Sequence, residues 1–180
     1  GIERLALILQ GKGTIFETDL FAPLVDALLA QARLTNANRR AATRDARIIA
    51  DHVRALTFAV AEGALPGNEG AGYVLRRLLR RAVTRGRSEQ GLALAGPFLA
   101  DVATRVIAQF GGHYRELGTH RERIVHLIEQ EETNFGQTYE AGMQRLEKLL
   151  ERGVTESAGH EAGAVHATFC CTIALAEESA

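Results

Sequence analysis

Apolar residues recur at helical spacing through most of this 180-residue chain, and the alternation typical of strands is nearly absent. The pattern predicts a buried helix over residues 2–10, a second helix over 18–31, and a long helix over 43–62. Gly63 follows the long helix and suits a left-handed C-cap. We therefore expect an all-α helical bundle.

The second half of the chain continues this pattern after a turn at residues 64–69. A helix rich in arginine is predicted to run to Arg85 and to be closed by Gly86. Other predicted segments are a polar loop at 34–42, an interrupted helix at 92–110, one helix or two over 114–152, a weakly patterned stretch at 154–168 and a short last element at 172–178.

The helix after the turn separates its arginines from its apolar residues. At 100° per residue, one arc carries Tyr73, Arg76, Arg77, Arg80 and Arg81. Guanidinium groups without an acid among them repel one another, and an anion lying across them relieves that repulsion. A phosphodiester backbone is the obvious anion, with Arg76 and Arg80 as the preferred phosphate pair. The alternatives are a solvated face or ion pairs with the acids of 129–132.

Composition restricts where such an anion can bind. The net charge is −1 and hydrophobic residues make up 46%, so the chain can bury a core but is not a generally basic nucleic-acid coat. Positive charge is instead local, because residues 76–87 contain six arginines and no acid. Residues 129–132 read EQEE, which supplies opposite charge elsewhere.

The sequence offers little else that indicates a special site or compartment. Two adjacent cysteines give no disulfide framework, and no apolar run approaches the roughly 18 residues of a membrane span. We expect a cytoplasmic protein that contacts no membrane. A metal site can be proposed, but its spacing matches no standard zinc pattern, so we expect no metal there. Its residues are His160, His166, Cys170 and Cys171.

Residues 47–87 carry a specific resemblance. They read RIIADHVRALTFAVAEGALPGNEGAGYVLRRLLRRAVTRGR, which resembles the tRNA-recognition region of alanyl-tRNA synthetases. Three flanking stretches agree with it: residues 1–6 resemble the tail of class II motif 3, and 19–25 and 132–142 resemble two further family segments. The resemblance covers almost the whole chain.

The resemblance implies a domain plan and a parent reaction, the ATP-dependent attachment of alanine to tRNA(Ala). Residues 1–12 would end the catalytic domain, 13–155 would form a helical tRNA-recognition domain, and 156–180 would be a divergent, partly irregular segment. Arg4, with Gly1 and Glu3, would face the phosphates of ATP, which is used with Mg²⁺.

The chain begins in a helical pattern without an initiator Met, so we expect a piece of a longer protein. Class II motifs 1 and 2 are not in this sequence, and we expect the piece by itself to be inactive. The zinc and editing chemistry of the family lies in a later domain that is also not in this chain.

The family identifies its tRNA by a G·U pair in the acceptor stem. By resemblance Asn68 would read that pair through the shallow minor groove of A-form RNA. The alternative is a plain N-cap of the arginine helix. Gly67 and Gly70 would permit close backbone approach, and Asp51-His52 would hold the turn by packing and hydrogen bonding. The predicted tRNA-binding set is Asn68, Glu69, Tyr73, Arg76, Arg77, Arg80 and Arg81.

The C-terminal stretch departs from the family pattern. Residues 165–175 align with a segment in which an aspartate makes the second G·U contact, and Ala167 stands in its place. The methyl side chain of alanine accepts no hydrogen bond, and a lost base contact costs about 1–3 kcal/mol of discrimination. Two alternatives to a synthetase segment remain: a non-catalytic RNA-binding helical module derived from the synthetase, and a bundle without any ligand.

Overall fold

The computed structural model describes residues 1–151, and all regular elements in that range are helical, which confirms the predicted all-α class. The predicted segment 114–152 forms two helices. The described elements are α1 (Ile2–Leu9), a 3-10 turn (Ile15–Glu17), α2 (Ala22–Gln31), α3 (Arg39–Ala61), α4 (Gly70–Arg87), α5 (Leu99–Phe110), α6 (Arg115–Thr119) and α7 (Arg121–Glu151).

Helix α3 runs through the middle of the bundle and packs against α2, α4 and α5, while α7 packs against α4 and α5. The helices meet through apolar stripes that the sequence pattern had largely indicated. Fully buried side chains of the core include Phe21, Leu24, Leu28, Ile49, Leu56, Leu79, Leu99, Leu117, Ile124 and Ile128.

The C-terminal end of α3 confirms the predicted glycine cap. Gly63 has φ +93°, in the left-handed region that favours glycine. Its N–H donates to the Val60 carbonyl, and the Ala64 N–H donates to the Ala59 carbonyl, each at 3.0 Å. This pair of bonds is a Schellman motif, which satisfies the last carbonyls and turns the chain toward α4.

The N-terminal ends of two helices differ from the prediction. Helix α3 begins at Arg39, inside the predicted loop 34–42, because Thr35 and Asn38 bond each other's backbone and side chain and organise the start. Helix α2 begins at Ala22 instead of residue 18, since the Thr18 hydroxyl donates to the Ile15 carbonyl at the end of the 3-10 turn.

Gly86 does not close the arginine helix, so that prediction is wrong. It lies buried inside α4, which continues to Arg87. A Cβ on Gly86 would lie 2.1 Å from the Phe98 ring, so the glycine is there for close packing. The predicted helix from residue 92 begins only at Leu99, because Ala93 and Gly96 have positive φ.

Helix α1 forms where predicted but is not buried. None of its residues is buried, and Leu9 is 76% exposed, so the expectation of a buried helix is wrong. Its apolar residues are abundant, yet four of them remain more than half exposed in the structure of residues 1–151: Ile2, Leu5, Ile8 and Leu9. Apolar content therefore identified the helix but not its surroundings.

Several predictions fall outside the described residues. They concern the boundary between 155 and 156, the weakly patterned stretch at 154–168, the short last element at 172–178, Ala167, and the group of His160, His166, Cys170 and Cys171. Within residues 1–151, no cluster of histidine, cysteine or acidic side chains could hold a metal ion. No helix in that range combines the length and apolar content needed to cross a membrane.

Candidate nucleic-acid interface

The turn before α4 is held by backbone contact with the first turn of that helix. The Gly67 N–H donates to the Gly72 carbonyl at 2.9 Å. A Cβ on Gly72 would lie 2.7 Å from the Leu65 carbonyl oxygen and 2.9 Å from the Gly67 nitrogen. Gly67 would tolerate a Cβ, whose nearest neighbour would be 3.7 Å away. Close backbone packing within the turn therefore depends on Gly72 and not on Gly67, while the close approach of RNA at Gly67 and Gly70 stays a prediction.

Asn68 lies exposed in this turn and does not cap the helix. The N-cap residue of α4 is Glu69, which makes no side-chain capping bond. The Asn68 Oδ1 instead accepts a hydrogen bond from Nη1 of Arg76, two helical turns along α4. The alternative of a plain N-cap is therefore wrong for Asn68.

Arg76 and Arg80 both point toward α7. The Nη2 of Arg76 lies 3.6 Å from Oε1 of Glu131, and the Arg80 guanidinium sits over the Phe135 ring, 5.2 Å from its centroid. The alternative of ion pairs with the acids of 129–132 is thus confirmed for Arg76. A phosphate-binding role for this pair stays a prediction.

Arg77 and Arg81 lie on the exposed side of α4, one turn apart. Among residues 1–151 no hydrogen bond or ion pair engages either guanidinium. The Tyr73 side chain is also exposed, one turn before Arg77. The outward face of α4, the helix that follows the Asn68 turn, thus presents a phenol and two cations that have no hydrogen-bond or ion-pair partner among residues 1–151.

The last two arginines of α4 belong to the fold. Arg85 is buried, with Nη1 3.7 Å from Oδ1 of the buried Asp45 on α3. Arg87 donates to Glu140 of α7 at 2.8 Å. The run of six arginines is therefore divided into residues that hold the helices together and residues that face solvent.

The predicted ATP group lies on α1, separately from the turn. Glu3 accepts from Nη2 of Arg54 at 2.7 Å, and this bond lowers the pKa of the Glu3 carboxyl below its usual value. Gly1 and Arg4 are exposed, and within residues 1–151 the Arg4 guanidinium makes no hydrogen bond or ion pair. Arg4 is thus accessible to an anion, while Glu3 is already engaged.

Among residues 1–151, no hydrogen bond or ion pair joins the Asp51-His52 pair to the turn, so the predicted hydrogen bonding is not found, while packing against the turn stays a prediction. Nδ1 of His52 lies 3.4 Å from Oδ2 of Asp51, and the hydrogen bond lowers the pKa of Asp51. Arg54, beside them on α3, pairs with Glu3 and stacks over the Phe21 ring at 4.3 Å. Through Arg54, this part of α3 therefore supports α1 and the start of α2.

Two residues at the candidate interface were missed as contributors: Gly72 and Glu131. The repeated glycines of the turn gave a signal for close approach without showing which one required it. The acids of 129–132 gave a signal for pairing with the arginines, but helical spacing within α4 could not show that Arg76 was the partner. Both assignments could be made only from the way in which separate segments of the chain pack together.

Comparison with known proteins adds a family match over the whole chain. A profile of the family described as tRNA synthetases class II (A) matches residues 1–180. The chain is 41% identical to an alanine–tRNA ligase of Pelotomaculum thermopropionicum over 184 aligned positions, covering 100% of the chain and 21% of that relative. It is 39% and 40% identical to alanine–tRNA ligases of Roseiflexus sp. and Chloroflexus aurantiacus, covering 100% of the chain and 20% of each relative. The chain thus spans about a fifth of the length of these curated relatives.

Proposed function

Because this chain belongs to the class II (A) tRNA synthetases, we propose that it serves the ATP-dependent attachment of alanine to tRNA(Ala). Its specific part in that reaction is to receive the tRNA acceptor stem and read the G·U pair. The observation that carries this proposal is the exposed Asn68 carboxamide, in a turn closed by the Gly67–Gly72 hydrogen bond and followed directly by the helix that carries the solvent-facing Arg77 and Arg81.

The chemistry of the turn suits a base edge in the minor groove. The wide, shallow minor groove of A-form RNA exposes base edges and 2′-hydroxyl groups to short side chains. In that groove the guanine 2-amino group is a donor that adenine and inosine lack, and in a G·U wobble pair, unlike in G·C, this group makes no hydrogen bond to its partner base. An amide oxygen has two lone pairs, so Asn68 Oδ1 can accept from Arg76 and from that amino group together.

The exposed face of α4 would supply contacts that hold the duplex in register. Arg77 and Arg81 offer free guanidinium groups to phosphate oxygens, and such contacts position a nucleic acid without reading its sequence. Tyr73 presents a phenol and Glu69 an acceptor beside the turn, both exposed. Arg76 and Arg80 add positive charge from partly buried positions on the same helix.

In the parent reaction, α1 would take part at the ATP phosphates. The exposed guanidinium of Arg4 is free to meet developing phosphate charge, and Mg²⁺ would accompany the nucleotide. Glu3 would act mainly by holding α1 on α3 through Arg54. Gly1 is exposed beside them.

Binding of acceptor-stem minihelices to the 180-residue chain tests the base-reading role. We expect the G·U minihelix to bind about tenfold more tightly than one with G·C, or with inosine replacing the guanine. Asn68→Ala should remove this preference while retaining salt-dependent binding. Equal affinity of the unaltered chain for all three duplexes would contradict base reading by this surface.

A further inference from the structure

The Arg76 side chain connects the turn at residues 64–69, called the recognition turn below, to α7, a helix distant from it in sequence. Its Nη1 donates to Asn68 Oδ1, and its Nη2 lies 3.6 Å from Glu131 Oε1 on α7. The side chains of Arg76 and Glu131 are 23% and 28% exposed, so solvent screens this pair less than a fully exposed one. One guanidinium thus spans the gap between the turn and α7.

Helix α7 offers a fixed position for Glu131. The neighbouring Glu132 is completely buried and accepts the backbone N–H groups of Phe98 and Leu99, each at 2.9 Å. Phe135, one turn later, packs in the core and lies beneath the Arg80 guanidinium. These contacts fix both the rotation of α7 and its register against α4 at the level of Glu131.

The backbone of the turn is also fixed, by the close approach of Gly67 and Gly72. The main remaining freedom at the tip of the turn is rotation of the Asn68 side chain. An unrestrained asparagine has three staggered χ1 wells and a roughly two-fold χ2, which makes about six orientations. If one of them binds, affinity falls by the fraction that is competent, or about sixfold.

We propose that Arg76 and Glu131 are positioning residues that hold the Asn68 carboxamide in the orientation that reads the acceptor-stem base pair. This inference rests on the proposed function of Asn68. Glu131 aligns the Arg76 guanidinium, and Arg76 directs Oδ1 of Asn68 while leaving its second lone pair for the RNA. Specificity is then set partly by α7, which lies outside the recognition turn.

The test measures the ratio of G·C to G·U minihelix dissociation constants for variants of the 180-residue chain. Glu131→Ala and Glu131→Gln should each lower this ratio by about sixfold or less, because the carboxamide regains its free orientations. The slope of log affinity against log salt should stay unchanged, since Glu131 contacts no phosphate. Glu129→Ala makes the same charge change at an exposed position of α7 and should leave the ratio unaltered.

A double-mutant cycle shows whether the effect passes through Asn68. In the Asn68→Ala background, Glu131→Ala should change the ratio no further. Glu131→Asp, which keeps the carboxylate, should retain more of the preference than Glu131→Gln. Circular dichroism and urea unfolding should show that the glutamine variant folds like the unaltered chain.

The outcomes separate this inference from the proposed function. If Asn68→Ala lowers the ratio and Glu131→Ala behaves like Glu129→Ala, the positioning role is wrong while base reading by Asn68 stands. An effect of Glu131→Ala that persists without Asn68 also overturns the positioning role. If Asn68→Ala leaves the ratio unchanged, both proposals are wrong.

Discussion

The carboxylate of Glu132, on α7, caps the N-terminus of α5 by accepting the backbone N–H of Leu99 at 2.9 Å and that of Phe98 at the same distance. The side chain is completely buried. These N–H groups belong to the first turn of a helix, where no intrahelical acceptor exists and the helix dipole favours an anion. One carboxylate therefore fixes the start of one helix and the register of another.

Replacing Glu132 with alanine should reduce the free energy of unfolding by about 2–3 kcal/mol, because two buried N–H groups lose their acceptor. Urea unfolding at pH 7 measures this loss. Asp101→Ala removes an exposed acid from the first turn of the same helix and is the matched control, with an expected loss below about 1 kcal/mol. Equal losses in the two variants would contradict the capping role.

The same residue makes stability depend on pH. Burial raises the pKa of Glu132 above its ordinary value of 4.5, and the two N–H bonds oppose that rise only in part. The folded protein therefore keeps this proton at pH values where the unfolded chain has lost it. Its contribution to stability is present below the unfolded pKa and is lost as pH rises through the folded pKa.

Glu132→Gln carries no titrating group and isolates this contribution. The unfolding free energy of the unaltered chain minus that of Glu132→Gln should be largest near pH 4.5 and should decline as the pH rises. Urea unfolding of both proteins between pH 4.5 and 7.5 measures the difference. A difference that grows with pH would mean that the two N–H bonds outweigh burial and that the pKa of Glu132 is lowered instead of raised.

Gly72→Ala should disturb the recognition turn, since its Cβ would lie 2.7 Å from the Leu65 carbonyl oxygen. We expect a loss of about 1–3 kcal/mol in unfolding free energy and a marked loss of preference for the G·U minihelix. Gly118→Ala is the control, because that helical glycine has open space for a Cβ and should stabilise slightly. An unchanged G·U preference in Gly72→Ala would show that the turn tolerates displacement.

Arg77 and Arg81 should dominate the salt dependence of RNA binding. Changing either to glutamine should reduce the slope of log affinity against log salt by about one, and changing both by about two. Arg105→Gln removes an exposed arginine from α5 and should leave the slope as it was. The assay titrates the minihelix at several salt concentrations, from about 50 to about 200 mM. The same slope for all these variants would place the phosphate contacts elsewhere.

The 180-residue chain should not charge tRNA. Class II motifs 1 and 2 are not in this sequence, and the described residues supply one exposed arginine, Arg4, for the ATP phosphates. With ATP, Mg²⁺, alanine and tRNA(Ala), we expect no alanyl-tRNA above a protein-free control. A longer synthetase containing motifs 1 and 2 is the positive control. ATP-dependent charging by the 180-residue chain would overturn this expectation.

Apolar periodicity and helix-breaking residues in the sequence predicted where the helices lie better than where they begin and end. The Gly63 cap was identified correctly because its bonds join residues within one turn. The starts of α2 and α3 were missed because short side-chain bonds in the preceding loops decide them. Gly86 resembled a helix terminator, yet its role is to admit the ring of Phe98.

The sequence by itself determined the helical class, the composition of the arginine helix, and the motifs of its family, because each of these depends on residue order at short range. Which arginines are free, which glycine allows close approach, and what α1 contacts were decided only by the tertiary structure. Spacing along one helix defines a face, but it does not identify the segment that packs there. Arg76 and Arg77 are neighbours in sequence, but their side chains lie about 100° apart around the helix axis. Arg76 therefore lies against Glu131, while Arg77 faces solvent.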